Sequence, residues 1–370
     1  MVWALLVVSL QIYSGEAASA DLSLRGQFLY SFSYQDKNNW YQGFSIRRAR
    51  LITDGFFLRK ETKYYLQLTL LEGGPVSLWD LYIDSSYNMW GVRLGQWKVP
   101  YNREKINSSF RLELVDRSML NEFFYLGRDI GIDFMVGPKN YRVHVATFTG
   151  AGRNITIPKV SRNFLFVARA ELAPVGKVVY DQPNLKKERL VNIGLSAALM
   201  DISQSEISRL DLDKGEKVYG KLESRADRSS FMKTITGIPG TLFAAEGDLK
   251  VWWDIVGFET EFLYNSYKKD FSAFGLRVQP SIVIDNLGIA ARYSLLRVKK
   301  VPGGKFDVRG MKIKGDNKTV HEITFGPSYY FKGHNLKVQL DYSPLIFEGE
   351  DGKNKIQQHL VRLQLQVDIK

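Results

Sequence analysis

Three arginines fall within four residues of the segment GFSIRRARLITDG, residues 43–55: Arg47, Arg48 and Arg50. A guanidinium presents a rigid fork of N–H donors that matches two oxygens of a phosphate or carboxylate at once. The same group also anchors acidic loops, and the spacing alone does not choose between these roles. The flanking residues read as a strand, in which neighbours point to opposite faces. Adjacent Arg47 and Arg48 can share a face only if the strand bulges there; otherwise the outward one must meet a folded loop or a neighbouring subunit.

Other chemistry has little to stand on. The four histidines, His144, His321, His334 and His359, are scattered and form no metal-binding spacing. There is no cysteine, hence neither a disulfide framework nor a thiolate metal site. No phosphate-cradling G-x-x-x-x-G-K-[ST] array occurs. The formal net charge is +12, with 51 Lys+Arg against 39 Asp+Glu, but the basic residues are dispersed and match no nucleic-acid-binding motif. An enzyme, a metal, a cofactor and a nucleic-acid partner are therefore not expected.

The elements that must carry the arginines are strands. In VRLQLQVDI (361–369), Val361, Leu363, Leu365, Val367 and Ile369 alternate with Arg362, Gln364, Gln366 and Asp368. IAARYSLLRV (289–298) and NLKVQLDYSPLIF (335–347) behave alike, and no amphipathic helix is as clear. This dyad period predicts an all-β fold, a transmembrane antiparallel β-barrel of about sixteen strands. The expected strands are roughly 21–34, 43–54, 62–71, 76–86, 90–97, 131–137, 141–150, 163–172, 189–200, 242–253, 256–267, 271–284, 287–298, 320–331, 335–347 and 357–369. Every second connection is mostly short, as at 88–89, 137–140, 254–255 and 285–286, while 98–130, 151–162, 201–241, 299–319 and 348–356 are longer and polar. Short periplasmic turns and longer outer loops give that two-class pattern; the 173–188 connection breaks it by being long where a short one is due. Aromatic residues cluster at strand ends, in NNWY, NMW, VWW and SYYF, where the girdles of such barrels sit.

Residues 1–20 read as an export signal, with an apolar core from Val2 to Leu10 and an A-x-A site at 18–20, although the usual basic start is missing. Residues 21–370 form the barrel domain. Its inward face is expected to line water and to carry Arg93, Arg169, Arg277, Arg292, Lys337 and Arg362 with a few acids, Glu259, Glu261 and Asp341. A positive lumen favours anions.

Four stretches, in order, resemble the phosphate-selective porin O and P family: FSIRRARL (44–51), VRLGQWKVPYNREKINSSFRLELVDRSMLNE (92–122), GRDIGIDF (127–134) and FTGAGRN (148–154). The resemblance is dense over about 44–154 and continues afterwards as pattern. It implies a sixteen-stranded, usually trimeric barrel in an outer membrane of Gram-negative type, with the third outer loop, here 98–130, folded inward. It also implies a central anion site on Arg47, Arg48, Lys105, Ser109 and Arg117, tempered by the acid Asp80. Phe110 stands where a second loop lysine is expected, with Arg111 beside it. The expected function is passive diffusion of small anions, phosphate or polyphosphate among them, with outer-membrane lipid around the barrel. A general-diffusion porin without a specific anion site, and a structural or adhesive barrel, are the alternatives.

Overall fold

The computed structural model of the chain describes residues 18–71, 76–154, 164–202, 229–235, 238–268, 270–348 and 354–369. Most of the expected export signal, and much of the expected loops at 151–162 and 201–241, lie outside the described residues. Ala18, Ser19 and Ala20 of the expected cleavage motif open the first strand.

The strands are β1 (Ala18–Asp36), β2 (Asn39–Phe57), β3 (Arg59–Leu71), β4 (Ser77–Tyr87), β5 (Trp90–Lys98), β6 (Arg128–Val136), β7 (Tyr141–Phe148), β8 (Leu165–Val175) and β9 (Leu190–Ile202). Then follow β10 (Gly240–Trp253), β11 (Val256–Tyr267), β12 (Phe271–Ile284), β13 (Leu287–Lys299) and a small separate hairpin, β14 (Lys305–Val308) and β15 (Met311–Lys314). The last are β16 (Lys318–His334), β17 (Leu336–Tyr342), β18 (Leu345–Glu348) and β19 (Asn354–Ile369). All pairings are antiparallel, and β19 pairs with β1 from Leu24↔Ile369 to Tyr34↔His359, which closes the sheet. β17 and β18 both lie between β16 and β19, so they form one stave interrupted at Ser343 and Pro344. Proline has no N–H to give the ladder. Among the described residues the barrel therefore has sixteen staves, as the alternation predicts.

The alternation holds because one side of each stave faces out of the barrel and the other faces into it. Ile289, Phe325, Leu340, Leu363 and Leu365 all point outward and are exposed, while Arg292, Asp341, Arg362 and Gln364 point inward and are buried. No helix among the described residues is long and apolar enough to cross a membrane. The turns after β4, β10 and β12 place Asn88, Asp254 and Asp285 at positive φ, a conformation these residue types tolerate best among those with a Cβ. Tyr87, Trp90, Trp253, Tyr329 and Phe331 ring the same end, exposed at girdle height.

The long connections do not all stay at the rim. Residues 99–127, the third outer loop, carry helices α1 (Arg103–Ile106) and α2 (Met119–Phe124) and lie inside the barrel. Phe123 and Phe124 of α2 join Phe231 of a third short helix, α3 (Ser230–Ile235), and Phe306 of the hairpin in an apolar core with Phe271, Leu296 and Val320. Inward-facing Gly275 of β12 makes room for this plug: a Cβ there would lie 2.8 Å from the Phe124 ring. The connection 176–189, whose length breaks the turn pattern, also enters the lumen, from the opposite end. Its Gln182 N–H donates to the Arg111 carbonyl at 2.8 Å, so it meets the third loop inside the barrel.

Candidate functional site

The inward charges of β8 to β19 differ from the expectation that they line water. They are covered by the third loop and satisfy its irregular backbone, whose N–H and C=O groups have no ladder of their own. Wall carboxylates take loop amides: Glu246 accepts from Arg103 N at 3.2 Å, Glu261 from Glu104 N at 2.7 Å, Asp341 from Val115 N at 3.1 Å and Glu322 from Met119 N at 2.9 Å. Wall cations take loop carbonyls: Arg169 donates to Tyr101 O at 2.9 Å, Lys337 to Leu112 O at 2.7 Å and Arg292 to Asp116 O at 3.0 Å. Charged hydrogen bonds of this kind are about twice as strong as neutral ones.

One network is the densest. Arg103 of α1 and Arg169 of β8 share Asp248 of β10, and both reach Glu171, at 3.4 and 3.1 Å. Arg169 also holds Glu246 at 2.7 Å. All five side chains are sealed from solvent. Gly194 of β9 leaves the space, since a Cβ there would sit 2.1 Å from an Asp248 oxygen. At the outer end Arg309, at the tip of the β14–β15 hairpin, bonds Glu322 and the Arg117 carbonyl, each at 2.6 Å.

The adjacent pair Arg47–Arg48 belongs to this scaffold. Gln27 pairs with Arg48 and the next residue, Phe28, with Ile46, so Arg47 is the extra residue of a β-bulge. The bulge turns both arginines inward, resolving the parity conflict of two adjacent charges. Arg47 and Arg48 grip Asp116 of the third loop at 2.7 and 3.1 Å, and Arg48 also reaches Gln27 at 2.8 Å. Burial opposes ionisation of Asp116, but Arg47, Arg48, Arg362 and Arg309 hold its carboxyl well below the usual range. Arg117 donates to the Glu104 carbonyl at 2.7 Å. Burial and Arg48 lower its pKa to about 10, which leaves it charged at neutral pH. The Lys105 ammonium sits 3.6 Å from the centre of the Tyr125 ring. Ser109 accepts from Arg50 at 3.0 Å.

Among the described residues a cavity of about 400 Å³ lies in the lumen against β1 to β7, the opposite wall from the filled side. Of the residues marked by resemblance Asp80 lies on its surface; Arg47, Arg48, Lys105, Ser109 and Arg117 are not among the residues that line it. Its surface carries six basic side chains, Arg25, Arg50, Arg93, Lys98, Arg128 and Arg142, against two carboxylates, Asp80 and Asp133. Arg50, Lys98 and Arg128 form the outer tier. Lys98 donates to the carbonyls of Ile106 and Asn107 at 3.2 and 3.0 Å. Arg128 is paired in two bonds with Asp80, at 2.9 and 3.1 Å. Trp79 is a platform beneath them: the guanidinium carbons of Arg128 and Arg50 lie 4.0 and 4.6 Å from its ring centre. A second bulge explains that position, because Gln67 pairs with Asp80 and Leu68 with Leu78, leaving Trp79 as the extra residue.

The inner tier holds Arg93, bidentate on Asp84 at 2.6 and 2.8 Å, Arg142, 3.4 Å from the Tyr180 hydroxyl, and the pair His144–Asp133 at 2.8 Å. Among the described residues, Lys98 and Arg142 have no carboxylate within ion-pair distance, and no group of acids and histidines is arranged to hold a metal ion. Of these residues, Arg50 is the third arginine of the opening motif. With Arg47 bulged out of register, Arg48 and Arg50 share the inward face, so the motif carried the signal. Lys98 follows Trp97 directly, and nothing in the alternation marks it as inward.

A closed sixteen-stave barrel with an outward apolar belt, an aromatic girdle and a charged lumen partly filled by its third outer loop has the fold of outer-membrane porin barrels. The family model of the phosphate-selective porin O and P matches residues 22–174, from β1 to β8, the part of the chain that builds the open wall and the third loop. No curated protein sequence matches the chain. Among solved structures, an anion-selective porin from Comamonas acidovorans superposes with a TM-score of 0.61 at 10% identity, covering 95% of this chain and 100% of that one. The outer membrane channel DcaP of Acinetobacter baumannii gives 0.58 at 12% identity, covering 97% and 99%. The trimer form of OmpT, an outer membrane protein of Vibrio cholerae, gives 0.54 at 10% identity, covering 95% and 100%. At such identities the likeness speaks for the fold.

Proposed function

We propose that the chain is exported by its N-terminal segment, assembles as a homotrimer and passes small anions passively, phosphate or polyphosphate among them, through the open half of its lumen. The observation that carries this reading is the surface of the passage, where six basic side chains face two carboxylates. In a narrow channel with low-dielectric walls such an excess concentrates anions and repels cations. Arg50 and Arg128, seated over the Trp79 ring, offer guanidinium N–H donors to an oxyanion, and Lys98 adds a further nitrogen donor. Asp80, on the same wall and shared with Arg128, tempers the attraction, and conduction needs that weakness because an ion must also leave. Arg47, Arg48, Lys105, Ser109 and Arg117 serve the site by fixing the loop that shapes it. The trimer form of OmpT, a structure of the same fold, supports the trimer.

Reversal potential in a potassium chloride gradient across a planar bilayer tests the reading. It should have the sign of chloride selectivity and grow as ionic strength falls. A cation-selective sign would refute it, and absence of any conductance would favour a structural barrel.

A further inference from the structure

The passage has a middle tier that a bare oxyanion does not need. Between the outer cations (Arg50, Lys98, Arg128) and the inner ones (Arg93, Arg142), the surface is aromatic. Tyr65 of β3 and Tyr82 of β4 are directly opposite in register and stack with ring centres 5.2 Å apart and planes 15° from parallel. Trp97 of β5 meets Tyr82 edge-on at 6.3 Å. The Arg93 guanidinium lies 4.1 Å over Tyr82 and 5.7 Å from the Trp97 ring centre. Below them Met135 and Tyr180 extend the apolar wall, and Pro100 and Ile106 border it from the loop.

Aromatic faces carry negative electrostatic potential, so they repel chloride and phosphate. For inorganic anions the middle tier adds little to the two cationic stations, since the Arg93 guanidinium over Tyr82 offsets the repulsion of its face without giving the bare ion an apolar contact to use. For an anion with a flat apolar body it is a contact surface. Such a solute can lay its ring along the aromatic wall while its carboxylate is held by a guanidinium that is itself stacked on that wall.

We propose, building on the anion-channel reading above, that the solutes this passage favours are organic: aromatic carboxylates rather than bare inorganic oxyanions. Contact with one or two rings is worth up to about tenfold in affinity beyond charge alone.

The experiment is block of chloride current through single channels in planar bilayers by four probes at one pH: benzoate, cyclohexanecarboxylate, acetate and inorganic phosphate. Benzoate should interrupt the current at about tenfold lower concentration than acetate, with cyclohexanecarboxylate between them and phosphate no better than acetate. Tyr82→Leu should remove most of the preference for benzoate and Tyr82→Phe, which keeps the ring, should retain it; neither should change the sign of the reversal potential. Should the leucine variant fail to assemble, the wild-type order of the four probes decides. Phosphate blocking at lower concentration than benzoate, or benzoate matching acetate, overturns the proposal. A cation-selective reversal potential overturns the channel reading beneath it instead, so the two failures are distinguishable.

Discussion

Replacing Arg103 by methionine should free the third loop and roughly double the single-channel conductance or more, because a sixteen-stave barrel without an inward loop is a wide aqueous pore. Arg103 is sealed from solvent and touches Asp248, Glu171 and the Val179 carbonyl, while its own N–H reaches Glu246. It thus ties α1 both to the barrel wall and to the segment entering from the other end, while Glu104 beside it reaches the wall arginine Arg292 at 3.4 Å. Without it three carboxylates, Glu171, Glu246 and Asp248, surround Arg169 alone. Breaking a buried ion pair by deleting one partner costs about 3–5 kcal/mol. Barrel pairing is not involved, since the sheet closes through its own backbone, so heat-modifiable gel mobility should persist. Unchanged conductance in a folded variant would show that the apolar contacts of α2 suffice to hold the loop.

The second large effect concerns selectivity. Lys98→Gln together with Arg142→Gln removes two of the six basic groups on the passage without orphaning a carboxylate, and glutamine keeps an N–H donor for the Ile106 and Asn107 carbonyls. A unit charge 10 Å from a passing ion is worth about 0.4 kcal/mol even at the dielectric constant of water. Losing the Arg142 charge should lower chloride permeability about twofold, and losing Lys98 with it up to about fourfold, with potassium raised by similar factors, most visibly at low salt. The reversal potential should move toward zero. A double variant as anion-selective as the parent would place the selecting charges elsewhere.

How far the sequence could lead is clearest stave by stave. The lipid face imposes period two on every strand, so Leu363, Leu365 and their neighbours announced the barrel, the strand count and the closing strand. The inward residues announced only that they were inward. Whether Arg169 or Arg277 meets water or loop depends on where residues 99–127 run, and that path is set by contacts between positions 68 to 157 residues apart. The pair Arg47–Arg48 gave a partial answer, because its parity required a bulge or an unusual neighbour, and the structure has the bulge. Trp79 raised no such conflict, since a bulge at an aromatic residue breaks no charge rule. The length of the 173–188 connection stood out, but that it meets the third loop at Arg111 and Gln182 was not legible. Family resemblance drew the eye to Arg47, Arg48 and Lys105 and away from Arg50, which lines the passage.

The lumen is divided, with a locked scaffold against β8 to β19 and the cavity proposed to conduct against β1 to β7. The chain contains no cysteine, so single introduced thiols report without background. The decisive measurement is current through Ser108→Cys and Met135→Cys channels, on the path, and through Ser294→Cys and Thr324→Cys channels, on the filled side, before and after an anionic methanethiosulfonate reagent. Current should fall at Ser108→Cys and Met135→Cys and stay constant at Ser294→Cys and Thr324→Cys. Modification and block at the latter pair, with none at the former, would contradict the account.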